Sequence, residues 1–181
     1  GENADKGTPS PTGLLGDWLE RASLWLDKLF LAPADQREAR KSRLDQVREL
    51  RNQGQQARAM SLLRQLAKAH PEDLEARALL GRWLMDEGSF LEAEGHLEAV
   101  ASGRPAAASA RLDLGRLAYL RGQPAKAFEA FAEAWRLAPE SSDANTWLGI
   151  LAHESGRLAE ANRFLEHAIA MDGSNSVARD R

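Results

Sequence analysis

Residues 112–140 read LDLGRLAYLRGQPAKAFEAFAEAWRLAPE, and residues 147–172 read WLGILAHESGRLAEANRFLEHAIAMD. Offset by 34 residues, the two stretches agree where agreement matters. Leu114-Gly115 falls on Leu148-Gly149, Gly122 on Gly156, Ala127 on Ala161 and Phe131 on Leu165. The same step carried toward the N-terminus finds Gly88 and Gly54, Ala93 and Ala59, and Leu97 and Leu63. Two more columns run Leu66, Val100, Ala134, Ala168 and Pro71, Pro105, Pro139, Gly173. A sixth holds Gly81, Gly115 and Gly149, with Val47 in its first slot. Six columns keep one period without an insertion, and a fixed period of about 20–50 residues marks a repeat architecture.

Each column has a physical reading. A repeat consists of two amphipathic helices of about three turns, parted by a short turn. Gly54, Gly88, Gly122 and Gly156 stand where the first helix must stop, and glycine accepts the left-handed conformation of a C-cap. Gly81, Gly115 and Gly149 lie inside a helix, where glycine costs about 1 kcal/mol against alanine. That cost predicts close approach of a second helix, and the alanine column predicts the same from the other side. The prolines end one unit before the next begins.

This array resembles the tetratricopeptide (TPR) family. The resemblance covers residues 40–175 as units 40–73, 74–107, 108–141 and 142–175. It implies an all-α fold, a right-handed α-solenoid of helical hairpins, here with an extra N-terminal amphipathic helix. The chain departs from the family's pattern where a large aromatic is common early in the first helix, having Arg43, Arg77, Arg111 and Asn145 there. It also has Leu50, Leu84, Ala118 and Ala152 where tyrosine is common. The first unit, with Gln46-Val47 for Leu-Gly, reads as an end repeat, and solenoid ends commonly depart from the consensus.

The flanks differ from the array. Residues 1–13 are rich in Gly, Pro, Ser and charge, and read as a disordered linker. Residues 14–33 read as a helix ended by Pro33, with Leu15, Trp18, Leu19, Ala22, Trp25, Leu26, Leu29 and Phe30 on one apolar face. Leu24 and Leu31 fall on its polar side. This helix is expected to cap the first repeat, to join copies or bind a partner, or to lie on a membrane surface. The near cancellation of its charges ranks the membrane last. Asp35 is expected to cap the next helix, and residues 34–175 form the array. Residues 176–181 extend the columns of Ala144 and Arg111 through Ala178 and Arg179, reading as the start of a fifth repeat in a longer solenoid.

Composition excludes several classes of work. The chain has 181 residues, a formal net charge of -3 and no cysteine. No global basic field favours nucleic acid, and thiol chemistry, zinc ribbons and iron–sulfur sites are excluded. Every long apolar stretch is broken by charge, so no transmembrane segment is read. His70, His96, His153 and His167 occupy four different places in the repeat, so they are not expected to converge on a metal. No phosphate loop or nucleophile elbow is present. The expectation is a non-enzymatic chain with no cofactor. Alanine- and arginine-rich usage points to a GC-rich bacterial source, with the compartment open between cytoplasm and periplasm.

In the TPR family the first helices line a concave groove that binds peptides, which implies partner-binding roles by position. The ninth residues of the units are Arg48, Arg82, Arg116 and Ile150, and the three arginines make a basic stripe suited to an acidic segment. Asp45, Asp86 and Asp113 stand three or four residues away, a spacing that also permits neutralising pairs within each helix. Met85, Leu112, Tyr119, Trp147 and His153 complete the expected groove. Trp83 and Trp135 take core-like positions. Family members that clamp chaperone C-termini use a Lys/Asn set. This chain offers Leu44, Arg48, Leu79, Ser109 and Asp113, or Ala78, Arg82, Asp113, Asp143 and Trp147, so that mechanism is rejected. The leading reading is a scaffold or adaptor holding a protein or peptide partner. The alternatives are an envelope-assembly component that oligomerises through the 14–31 helix, and the regulatory part of a longer enzyme.

Overall fold

The computed structural model of the chain describes residues 16, 18, 19, 21–26 and 33–171. The linker at 1–13, the residues Leu15, Leu29 and Phe30, and the start of a fifth repeat at 176–181 lie outside the described residues. The chain forms two compact units, Gly1–Ala76 and Arg77–Arg181. All regular structure among the described residues is helical. Residues 16, 18, 19 and 21–26 are helical, and eight helices follow: α1 (Pro33–Asn52), α2 (Gln56–Ala69), α3 (Leu74–Asp86), α4 (Phe90–Gly103), α5 (Ala108–Leu120), α6 (Pro124–Leu137), α7 (Ser142–Glu154) and α8 (Leu158–Met171).

The period read from the sequence is the period of the structure. Helices α3, α5 and α7 start at residues 74, 108 and 142, and α2, α4, α6 and α8 at 56, 90, 124 and 158. Each odd-numbered helix ends in the same way. At Gly122 the backbone has φ of 68°, and its N–H donates to the Tyr119 carbonyl at 2.9 Å while the Gln123 N–H donates to Ala118 at 2.9 Å. This pair of bonds is a Schellman cap, and it needs a residue that tolerates positive φ. Gly54, Gly88 and Gly156 repeat it, with φ between 75° and 78°.

The interior glycines do what their cost predicts. A Cβ built on Gly81 would lie 2.6 Å from Leu97, one on Gly115 2.5 Å from Phe131, and one on Gly149 2.8 Å from Leu165. Helices α3, α5 and α7 are therefore each pressed onto the large side chain of the helix that follows, at the columns the sequence paired. Ala93, Ala127 and Ala161 are buried to 1% exposure or less on the opposing helices. Around Phe131, the buried side chains of Ala118, Ala127, Leu148 and Leu151 join α5, α6 and α7 into one core.

The first unit departs from expectation in two places. Helix α1 is 20 residues long and begins at Pro33 itself, not after Asp35. Proline suits the first helical position, where no N–H is needed, and Asp35 stands in the first turn, where the helix dipole favours an acid. The second departure is the face of the N-terminal helix. Leu24, read as polar-side, is buried at 3% exposure, and Ser23 accepts a hydrogen bond from Arg43. Trp18, Leu19, Trp25 and Leu26, read as the apolar face, are 52–67% exposed. Leu24 is thus the buried leucine of this helix, and the four described large residues of the expected face are exposed.

Candidate functional site

On α5, residues 109, 112, 113 and 116 are spaced three or four apart and so share one face. Asp143 and Trp147 do the same on α7, and Arg82 comes from α3. These side chains line a cleft of about 320 Å³ in the second unit. At its centre is Asp113, whose side chain is only 8% exposed. Arg82 Nη1 donates to Asp113 Oδ2 at 3.1 Å, and Arg116 Nη1 lies 3.8 Å from Oδ1. Burial pushes the Asp113 carboxyl above the usual carboxylate range, and the two guanidinium groups pull against that shift. Arg82 and Arg116 each keep 41% of their side-chain surface. A buried carboxylate thus aims two half-exposed forks at the opening.

The apolar part of the cleft is braced from behind. Trp147 stacks on Phe131 with centroids 5.1 Å apart and planes 8° apart, and Tyr119 tilts against it at 5.3 Å. The Tyr119 hydroxyl donates to Glu154 Oε1 at 2.6 Å, which holds its pKa above the ordinary phenol value. Leu112 packs against the same core and is half-buried. The cleft therefore presents an indole and a leucine side chain in fixed orientation beside the Arg–Asp–Arg group.

Of the residues expected in the groove, Arg82, Leu112, Arg116 and Trp147 line this cleft, with Tyr119 supporting it. Met85 does not take part. It is 4% exposed, a core residue, because its turn of α3 faces inward. His153 is exposed at the C-terminal end of α7, outside the lining. Arg48 belongs to the first unit, where it donates to Asp45 at 2.9 Å and to Glu75 at 2.8 Å. Those bonds, the one to Glu75 above all, raise its pKa further. Instead of a bare cationic stripe, the three arginines are each placed against carboxylates. Trp135, read as packing, is 38% exposed. Asp113 shares its column with Asp45, Leu79 and Trp147, so residue type alone does not set it apart from the acid of the first unit. Among the described residues no group of three His, Asp or Glu side chains is placed to hold a metal ion, and no helix is long and apolar enough to cross a membrane.

Three tetratricopeptide repeat models match the chain, over residues 40–83, 80–141 and 118–179. The chain belongs to the tetratricopeptide repeat family. As a TPR protein it is 34% identical over 122 residues to cellulose synthase operon protein C of Komagataeibacter xylinus. That match takes in 67% of this chain but spans only 9% of the relative. Among solved structures, MamA superposes with a TM-score of 0.65 at 23% identity, over 78% of this chain and 77% of that one. Pseudomonas aeruginosa PilF gives 0.68 at 21%, over 77% and 64%. The first TPR of Spaghetti (RPAP3), solved with the HSP90 peptide SRMEEVD, gives 0.55 at 16%, over 60% and 86%. At these identities the likeness is one of fold: an all-α TPR solenoid, the class that the family resemblance implied.

Proposed function

We propose that this TPR chain is a non-enzymatic interaction module that holds a partner protein's extended segment in the cleft between α5 and α7. The observation that carries the reading is the pair Arg82 and Arg116, half-exposed around the buried Asp113, beside the braced Trp147. Such a surface suits a segment with an apolar side chain for Leu112 and Trp147 and a carboxylate for the arginines. The solved complex of the first TPR of Spaghetti (RPAP3) with the peptide SRMEEVD, a neighbour in fold, supports a peptide-holding role. The experiment compares co-purification on the native chain with an Arg82→Glu, Arg116→Glu variant. A partner retained by the native chain and lost by the variant is expected. Equal retention by both assigns the arginines to surface charge and removes this cleft as the site.

A second reading has its own observation. The exposed Trp18, Leu19, Trp25 and Leu26 form an apolar face wider than isolated surface residues. Self-association through that face, as in an assembly component, predicts a concentration-dependent dimer in sedimentation. Trp18→Ser with Trp25→Ser returns it to monomer, because both indoles lie on the exposed side and their loss leaves Leu24 in place. A native chain that sediments as a monomer at every concentration removes the reading.

A further inference from the structure

The even-numbered helices of the second unit frame a different cleft, of about 400 Å³, between α6 and α8. Trp135 of α6 and Phe164 of α8 meet there edge to face, with centroids 6.4 Å apart and planes at 87°. Pro139, Asn145, Arg163 and His167 complete its walls with Glu160, and it shares no lining residue with the α5–α7 cleft.

Comparison with the preceding repeat shows how the space arises. One period earlier, Asn145 and His167 correspond to Arg111 and Glu133, which form an ion pair at 3.1 Å. In the last repeat the arginine is shortened to Asn145, whose Nδ2 donates back to the Pro139 and Ser141 carbonyls at 2.9 and 2.8 Å. The cleft that the ion pair spans in one repeat, about 260 Å³, is about 400 Å³ in the next. Its flanks change as well: Ala101 becomes Trp135 and Ala130 becomes Phe164. The charges change places, since Glu129 becomes Arg163 while Lys126 becomes Glu160. Arg163 has no hydrogen-bond or ion-pair partner among the described residues. The one carboxylate in the lining, Glu160, is held by Arg157 at 2.9 Å.

The geometry points to a second docking site on this side of the repeats, for an extended acidic peptide segment of a partner protein. Its apolar side chain rests against Trp135 and Phe164, and an adjacent carboxylate meets Arg163. One unpaired cation beside an aromatic wall suits a carboxylate neighbouring a hydrophobic residue. A nucleic-acid backbone needs a row of cations instead. The site is independent of the α5–α7 cleft and stands whether or not that cleft is used.

The test uses the full chain carrying Arg82→Glu and Arg116→Glu, so that the α5–α7 cleft is silent. The probe is a fluorescein-labelled peptide of sequence EDFEDLEDF, with KKFKKLKKF as control, read by anisotropy. Saturable binding of the acidic peptide alone is expected. Adding Arg163→Glu, an exposed change that leaves the helical circular dichroism intact, weakens it about tenfold or more. Trp135→Ala weakens it comparably. No saturable binding, or binding that Arg163→Glu leaves unchanged, overturns the site. So does self-association that Arg163→Glu disperses, because the occupant is then a second copy of the chain.

Discussion

Phe131→Ala lowers the stability of the chain by about 3–5 kcal/mol, and in that background Gly115→Ala reverses its sign. Phe131 is fully buried, and truncating such a ring removes its transfer energy and leaves a cavity. In the native chain a methyl group on Gly115 would meet the Phe131 ring at 2.5 and 2.6 Å. The ring has nowhere to go, because it is stacked on Trp147 and enclosed by Ala118, Ala127, Leu148 and Leu151. Overpacking of this kind costs about 1–3 kcal/mol, which outweighs the gain of about 1 kcal/mol that alanine brings to a helix. With Phe131 cut back, the methyl occupies vacated space and only the helical gain remains. Urea denaturation of the native chain, the two single variants and the double variant measures the coupling. Additivity to within about 0.5 kcal/mol would mean that Gly115 and Phe131 do not press on each other.

Asp113→Asn tightens binding of a carboxylate-bearing segment about tenfold and flattens the acid side of the stability profile. In the native cleft Asp113 competes with an incoming carboxylate for Arg82 and Arg116. Asparagine keeps the shape and one acceptor for Arg82 but removes the charge. The gain is that of a charge-assisted hydrogen bond no longer shared. The stability effect follows from the direction of the pKa shift. Burial raises the folded-state value above the unfolded one, so the folded state binds the proton more tightly. That contribution is fully present below the ordinary aspartate value and is lost as pH rises through the folded-state value. At neutral pH the native chain carries the buried charge, and the asparagine variant is the more stable. Titration calorimetry with the acidic peptide and thermal melts from pH 3 to 7 read the two effects separately. A variant that binds more weakly, or that melts lower at pH 7, shows that Asp113 supports the site instead of restraining it.

Much of the fold was legible because it is built from local devices repeated at one spacing. The capping glycines announce themselves by residue type. Gly81, Gly115 and Gly149 do so by being costly where they stand, which makes sense only if another helix presses on them. The candidate site was legible in part. Arg82 and Arg116 were placed by position in the repeat, but the role of Asp113 depends on a partner 31 residues away, and no helical spacing shows that. Met85, Tyr119 and His153 share a column yet are buried, half-buried and exposed respectively, since neighbours outside the unit decide burial. The N-terminal helix misled for a related reason. Hydrophobic size points Trp18 and Trp25 inward, whereas Leu24 is the buried residue and the neighbouring Ser23 meets Arg43. Trp135 likewise takes a core-like position in the repeat, yet it is 38% exposed and lines the α6–α8 cleft.

The glycine caps have a consequence for the ancestry of the chain. Gln55, Ser89, Gln123 and Arg157 each return their N–H to a carbonyl five residues earlier, at 2.8–2.9 Å, on the helix they follow. Every hairpin is closed by its own residues. Unequal recombination between any residue and its counterpart 34 positions away rejoins helix to helix in phase, with each turn still able to close. The number of hairpins is therefore a quantity that inheritance can alter in single steps, while their shape is not.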